Sequence, residues 1–408
     1  MSATETSGRG RPSRGRAGRL RRRLAASGIA SVLVLMGATD ASAAAGAQAS
    51  GWQETPVPLP SPDVTSANLL GVGGGGGANS TWATGFFIPS TGPFAPMAVR
   101  WDGSGWVQTP VPVEQPDDPT LRLLSSRLDG GIAEVAPDDV WAVGDTGTYS
   151  AAQGPVAYAL IEHWNGTSWQ QTPTDALPAG SKLFGIAAVS ATDIWAGGEI
   201  AGSAGLAHWN GRAWTPVTPA ALSDANPVSW VNSLSAAGPG DVWAVGPVGV
   251  SIHYDGHTWR KVPLPDLGGD EAWLQNVRTD ARFGTWAVGY RVGPDGIRNP
   301  LALRWTGTAW ESVPVPAAAD TQLQDVAFTR SGPQAFGYTD SQTTAAAYGV
   351  QLPTTASGQA RPITMPAVSD SINGAVSEPG GAGVWIVGTA FARTSPDMLP
   401  PFAARTAP

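Results

Sequence analysis

Three histidines are the residues of this chain that could most readily hold a metal ion, since three imidazoles are enough to ligate zinc. They are His163, His208 and His253. Each stands directly before a Trp or Tyr in a recurring segment, and arginine fills the same place in other copies. Equivalent places in successive repeats lie far apart, so we expect no metal site and no cofactor. We expect each histidine to pair within its own repeat with one of the recurrent aspartates, Asp139, Asp193 and Asp241.

Charged and aromatic side chains in segments predicted to be loops could do acid–base or ligand-binding chemistry. The candidates are Asp145, Glu199, Asp270, Glu271, Tyr290 and Arg291. A pair of carboxylates flanking a glycosidic bond can hydrolyse it. Solvated loop charges explain the same residues, however, and with four histidines in the chain no Ser-His-Asp arrangement is persuasive. These residues are therefore candidates for ligand binding, and no residue is assigned to catalysis.

The elements that must position these residues form an internal repeat built on tryptophan. A segment Asp-Val/Ile-Trp-Ala-x-Gly occurs at residues 139–144, 193–198 and 241–246, with weaker copies at 284–289 and 383–388. A segment Trp/Tyr-x-Gly-x-x-Trp occurs at residues 101–106, 164–169, 209–214, 254–259 and 305–310. The step between equivalent tryptophans ranges from 59 residues (Trp82 to Trp141) down to 43 (Trp243 to Trp286). This period is typical of four-stranded propeller blades lengthened by loops.

The two ends of the chain complete one another. Residues 401–406 align with residues 96–101, a third strand, so the last unit lacks a fourth strand. Residues 51–56 match residues 105–110, which form a fourth strand. We therefore predict an all-β fold: a seven-bladed β-propeller of four-stranded antiparallel blades, closed by an N-terminal strand.

The predicted bounds follow from these repeats. The propeller occupies residues 45–408, and residues 51–58 supply the outer strand of blade 7. Blades 1 to 7 span residues 66–112, 127–174, 183–219, 230–265, 273–316, 323–366 and 371–408.

Most of the 18 tryptophans recur at equivalent places, which indicates a core between blades. Trp230 and Trp273 fall outside that pattern. They precede the predicted inner strands of blades 4 and 5, where they could face the mouth of the central tunnel. We predict that both contact a ligand.

The sequence resembles two kinds of known propeller. An apolar run ending in Gly, followed by a Trp or Tyr and a later Trp, is similar to kelch-type and galactose-oxidase-type propellers. The Asn/Asp-Gly-x-x-Trp hairpins, as at residues 165–169 and 210–214, resemble the Asp-box turn of sialidase-like propellers. The chain lacks the regular double glycine of kelch and the Ser/Thr-x-Asp of Asp-boxes. With no cysteine, it also lacks the crosslinked tyrosine of galactose oxidase. Overall, it most resembles exported bacterial propeller proteins.

Residues 1–44 predict a signal peptide. They hold eight arginines and two acidic residues, followed by an apolar run at residues 24–38 and the small-x-small site Ala41-Ser42-Ala43. Arg21-Arg22-Arg23 fits a twin-arginine signal, while a general export signal or a retained membrane anchor would look similar. The whole chain carries a charge of −8 and this segment +6, which leaves −14 on the remainder. Such an acidic body argues against nucleic acid as a partner.

Together these features predict a secreted, non-catalytic propeller that binds a glycan or a protein at its tunnel mouth. The alternative is a carbohydrate-active hydrolase or lyase that uses the loop carboxylates. We expect a monomer with no membrane span in the mature chain.

Overall fold

The computed structural model describes residues 51–74, 80–116, 118–317, 320–340, 345–355, 357–366, 370–390 and 400–406. Seven antiparallel sheets form the blades of a propeller ring, which confirms the predicted fold class. Within the described ranges the helices are two 3-10 turns, Ala220–Leu222 and Pro379–Gly381, and none could cross a membrane. The predicted signal peptide, residues 1–44, lies outside the described residues.

The strands of the first three blades follow one another in chain order. Strand β1 (Trp52–Glu54) precedes blade 1, which comprises β2 (Val64–Gly73), β3 (Trp82–Pro89), β4 (Ala95–Trp101) and β5 (Trp106–Gln108). Blade 2 comprises β6 (Arg122–Arg127), β7 (Ile132–Ala136), β8 (Asp139–Ser150), β9 (Gly154–Trp164) and β10 (Trp169–Gln171). Blade 3 comprises β11 (Lys182–Ser190), β12 (Asp193–Ile200), β13 (Ser203–Trp209) and β14 (Trp214–Val217).

The remaining blades repeat the same order. Blade 4 comprises β15 (Ser233–Gly238), β16 (Asp241–Val245), β17 (Ser251–Tyr254) and β18 (Trp259–Lys261). Blade 5 comprises β19 (Glu271–Asp280), β20 (Gly284–Val292), β21 (Arg298–Trp305) and β22 (Trp310–Val313). Blade 6 comprises β23 (Thr321–Thr329), β24 (Gly332–Asp340), β25 (Ala345–Gln351) and β26 (Arg361–Pro362). Blade 7 contains β27 (Asp370–Ser377), β28 (Val384–Ala390) and β29 (Pro401–Thr406).

The outer strand of the seventh sheet comes from the other end of the chain. Strand β1 pairs with β29, with Trp52 opposite Thr406 and Glu54 opposite Ala404. The Trp52 ring meets the ring of Phe336 in blade 6 edge-on at 5.9 Å, and its Nε1 donates a hydrogen bond to the Thr364 carbonyl at 2.9 Å. Strand β1 therefore contacts blade 6 as well as completing blade 7.

Blade 2 departs from the regular pattern. Its inner strand is split into β6 and β7, and both pieces pair with β8. This is possible because β8 and β9 are 12 and 11 residues long. The sheet therefore starts at Arg122, five residues before the predicted bound at residue 127.

The glycine that ends the tryptophan motif has a steric cause. In every blade a Cβ at this glycine, which lies in the second strand or directly after it, would be 1.8–2.0 Å from a carbonyl oxygen of the innermost segment. No side chain fits at such a separation, so the backbones can approach only at glycine. The seven positions are Gly85, Gly144, Gly198, Gly246, Gly289, Gly337 and Gly388.

The recurrent tryptophans pack between blades, as predicted. Trp82 of blade 1 contacts Trp164 and Trp169 of blade 2, with ring centroids 5.2 and 5.4 Å apart. Trp141, Trp195 and Trp243 contact the aromatic pair of the following blade in the same way. A second-strand tryptophan thus fills the interface with the next blade, and truncating such a side chain typically costs about 3–5 kcal/mol.

The predicted hairpins between third and fourth strands are held by their first turn residue. The Asn210 side-chain oxygen accepts the backbone N–H groups of Arg212 and Ala213, each at 3.0 Å. The following Gly211 has a φ of +85°, a conformation that glycine adopts without strain. This explains why Asn-Gly or Asp-Gly recurs at these turns.

One buried position breaks the apolar pattern of the third strands. Two residues before the terminal aromatic, other blades carry apolar side chains such as Val99, Ala207 and Leu303, whereas blade 2 carries Glu162. Glu162 is fully buried, and neither carboxyl oxygen has a hydrogen-bond partner among the described residues. Burial, with a smaller contribution from Glu114, raises the pKa of Glu162 to about 8.

Candidate binding site at the entry mouth

The predicted ligand-binding residues gather at one end of the ring. We call this end the entry mouth and define it by the cross-strand pairs Arg127–Asp145, Lys182–Glu199 and Trp273–Tyr290, each of which joins an innermost strand to a second strand. In blades 3 and 5 these pairs lie where the innermost strand begins and the second strand ends. The opposite end is the exit mouth. In each pair the second-strand residue directly follows the motif glycine. The repeat therefore determines which residue of each second strand lies beside the mouth.

An aromatic row runs along the entry mouth from blade 3 to blade 5. The centroid of Trp230 lies 6.0 Å from Phe184 on one side and 6.2 Å from Trp273 on the other. Trp273 stacks on Tyr290 at 5.9 Å with an interplanar angle of 8°. The four rings therefore form one connected cluster, which we call the aromatic row.

Trp230 lies where the sequence placed it, in the segment between blades 3 and 4 and ahead of β15. Its ring is half-buried, and its Nε1 donates to the side-chain oxygen of Asn232. Asn232 in turn donates to the Leu274 carbonyl at 2.9 Å, which ties this segment to blade 5. The Trp230 ring is thus fixed while part of it stays accessible.

Trp273 does not lie in a blade junction, as the sequence suggested, but inside β19. The strand starts early because β20 continues to Val292, which pairs with Glu271. Trp273 is 8% exposed, so it supports its neighbours in the row and offers little surface of its own.

The predicted charged residues are held by partners around this row. Arg291 donates from Nη1 to Asp270 Oδ2 at 2.8 Å, and Lys182 Nζ lies 3.2 Å from Glu199 Oε2. Glu271 accepts the Trp273 indole N–H at 3.3 Å. Asp270, Glu271 and Arg291 are therefore close together, while Glu199 belongs to a separate pair in blade 3.

Tyr290 lies near Arg298, Tyr338 and Asp340, which the sequence did not single out. Burial raises the pKa of Tyr290 to about 12, although the nearby Arg298 opposes the shift, and burial also raises the pKa of Tyr338. Arg298 Nη2 donates to Asp340 Oδ2 at 2.8 Å. Tyr338 and Tyr290 both follow a motif glycine, and this shared register could have identified Tyr338 from the sequence.

A second group, in which Asp145 is a sequence candidate and Arg127 and Asp129 are not, lies in blade 2. Arg127 contacts Asp145 at 2.8 Å and Asp129 at 3.4 Å. Burial, and then the charge of Asp145, raise the pKa of Asp129 to about 7. Asp129 occupies the break between β6 and β7, where no repeat pattern marks it.

The three histidines pair within their own blades, as predicted. His163, His208 and His253 each place Nε2 2.8–2.9 Å from Oδ1 of Asp139, Asp193 and Asp241, respectively. His208 also stacks on Trp195, with ring centroids 4.1 Å apart. No group of three or more potential metal ligands occurs in the described part of the chain.

Comparison with solved structures supports the propeller fold. No family model and no curated protein matches the sequence. Among solved structures, YCF48 bound to a D1 peptide superposes with a TM-score of 0.52 at 14% identity, covering 88% of this chain and 96% of that chain. A structure described as a candidate gluconolactonase has a TM-score of 0.34 at 14% identity, covering 50% of this chain and 71% of its own. The first is a similar propeller, and the second is too distant to inform function.

Proposed function

We propose that this protein is an exported, non-catalytic β-propeller that binds a protein segment at its entry mouth. The observation that carries the proposal is the aromatic row bordered by ion pairs. Aromatic residues are enriched in the cores of protein interfaces, and polar groups surround them. Trp230, held in place and partly exposed, is the expected anchor, with Lys182–Glu199 and Asp270–Arg291 at the rim.

The ring geometry favours a peptide over a sugar. Sugars stack on open aromatic faces, whereas Trp273 is 8% exposed and offers little of its ring face to a sugar. The accessible part of Trp230 suits an apolar side chain instead. The solved YCF48 structure contains a bound peptide, which provides a precedent for this ligand class on a similar ring.

The ion pairs of Glu199 and Asp270 favour binding over hydrolysis at these two predicted carboxylates. Glu199 is engaged by Lys182 in blade 3 and Asp270 by Arg291 in blade 5, with blade 4 between them. With a pKa of about 12, Tyr290 is a neutral phenol at physiological pH and a poor base. A hydrolase or lyase would need an acid and a base to converge on one substrate bond.

Export is part of the proposal and is motivated by residues 1–44. Their arginines, apolar run and small-x-small site match a cleaved signal, through either the twin-arginine or the general route. Expression of the full chain followed by N-terminal sequencing of the protein in the medium tests this. Mature protein beginning near residue 44 supports export, whereas uncleaved protein in the membrane fraction contradicts it.

The ligand class is tested by probing the mature protein in parallel on a peptide array, a glycan array and a panel of glycosidase substrates. We expect saturable binding to a subset of peptides that carry an apolar side chain. Binding confined to glycans, or turnover of any glycoside, would overturn the proposal.

A further inference from the structure

A separate cavity of about 570 Å³ opens at the exit mouth. It is lined mainly by the ends of innermost strands and the turns that follow them in blades 5, 6 and 7, with Ser235 of blade 4 and Gly74, directly after β2 of blade 1, completing the lining. Its volume falls within the range of small-molecule sites, which is about 300–1,000 Å³. None of the entry-mouth residues discussed above lines it, so it is independent of the proposed protein-binding surface.

One wall of this cavity is apolar. The rings of Phe283 and Phe328 lie parallel, with centroids 6.2 Å apart and an interplanar angle of 7°. A flat apolar ring could pack against this surface.

Three arginines line the same cavity, and one is already neutralised. Arg278 donates from Nε and Nη2 to the two carboxyl oxygens of Asp325, at 3.0 and 2.9 Å, and from Nη2 to the Ala375 carbonyl at 3.3 Å. These contacts join blades 5, 6 and 7. Arg278 is therefore part of the scaffold.

The other two arginines have no carboxylate partner in the described part of the chain. The guanidinium of Arg282 lies 4.9 Å from the centroid of Phe283, and Arg330 donates from Nε to the Gly380 carbonyl at 3.0 Å. Both side chains belong to exposed residues at the rim and retain N–H donors. Such planar donors recognise carboxylates well.

The acidic residues of the lining limit the charge of a ligand. Asp280 Oδ1 accepts the backbone N–H groups of Arg282 and Phe283, and Glu378 Oε1 lies 3.9 Å from Arg405 Nη1. Arg278 is neutralised by Asp325, and Glu378 lies near Arg405. The remaining charged residues of the lining are Arg282, Arg330 and Asp280, which together carry one net positive charge. A monoanion matches this balance, whereas a polyanion would be repelled by Asp280 and by the acidic body of the protein.

We propose that the exit-mouth cavity binds a small aromatic monocarboxylate. The carboxylate pairs with Arg282 and Arg330, and the ring packs on the Phe283–Phe328 wall.

Calorimetric titration of the protein with benzoate, phenylacetate and indole-3-acetate tests this site, with the corresponding neutral amides as matched ligands. We expect at least one acid to bind with a Kd of about 1 mM or tighter, and its amide at least about tenfold more weakly, because the amide lacks the charge. Arg282→Gln and Arg330→Gln should each raise the Kd for the acid by about tenfold. Arg212→Gln, in an exposed hairpin turn of blade 3, is the matched control and should bind as the wild type.

The proposal is overturned if no acid binds with a Kd below about 1 mM, if acid and amide bind equally, or if binding survives both arginine changes. It is also overturned if Trp230→Ala abolishes binding, since the acid would then occupy the entry mouth. Phe283→Leu gives a second check on the cavity. Weaker binding of the acid at an unchanged melting temperature supports the site, and an unchanged affinity for the acid contradicts it.

Discussion

The indole rings of Trp385 and Trp101 lie 4.8 Å apart between centroids and join the last blade to the first. The Arg405 guanidinium lies 5.0 Å from the Trp101 centroid and 5.4 Å from that of Trp385. Arg405 belongs to β29, the strand that pairs with β1. The seam of the ring thus combines an aromatic interface with a strand from the opposite end of the chain.

Deletion of residues 51–58 should lower the melting temperature of the protein. The deletion removes β1 and the buried Trp52, and it leaves β29 as an unpaired edge that can associate with other chains. Thermal unfolding by circular dichroism measures the effect, with Gln53→Ala, an exposed position of the same strand, as the control. An unchanged melting temperature in the deletion variant would show that β1 does not stabilise the ring.

His208→Ala should destabilise the fold by about 1–3 kcal/mol, because Asp193 would lose its partner and Trp195 its stacked ring. His257→Ala is the matched control, since His257 is exposed in a hairpin turn. Denaturant unfolding gives both values, and elemental analysis of the wild type checks for metal. Stoichiometric zinc that disappears in His208→Ala would contradict the structural role.

Gly289→Ala should prevent normal packing of blade 5. The added Cβ would lie 2.0 Å from the Trp273 carbonyl oxygen, a separation that only movement of the backbone can relieve. Gly238→Ala is the control, because nothing lies within 4 Å of a Cβ there. Soluble yield and melting temperature should fall sharply for the first variant and hardly change for the second. Equal behaviour of the two would argue against a steric cause for the motif glycine.

Glu162→Gln should flatten the pH dependence of stability. The pKa of Glu162 is raised from its ordinary value of 4.5 to about 8, so between these values the folded state holds a proton that the unfolded state has lost. The free energy of unfolding should therefore fall as pH rises through this window. Urea unfolding at pH 5, 7 and 9 should show this decline in the wild type and a smaller decline in the glutamine variant. Identical slopes in the two proteins would contradict the assignment.

The ring could be predicted because its determinants recur. Three kinds of residue make the same contacts in successive blades: the motif glycine, the interblade tryptophans and the His–Asp pairs. Their period along the sequence therefore reveals the architecture. The place of Trp273 could not be read in this way, because the start of β19 depends on how far β20 extends. The exit-mouth arginines were also missed, since Arg282 and Arg330 lie in turns that share no repeat and line one cavity only because the ring places blades 5 and 6 side by side.

The affinity of a peptide for Trp230→Ala tests the proposed binding surface most directly. A linear peptide selected by phage display on the mature protein would be titrated into the wild type, Trp230→Ala and Val107→Ala. Val107 is 43% exposed on the outer strand β5, away from the entry mouth. We expect the Kd to rise by at least about tenfold for Trp230→Ala, as for an aromatic anchor, and to stay unchanged for Val107→Ala. Wild-type affinity in Trp230→Ala, or loss of binding in Val107→Ala, would contradict the entry mouth as the binding surface.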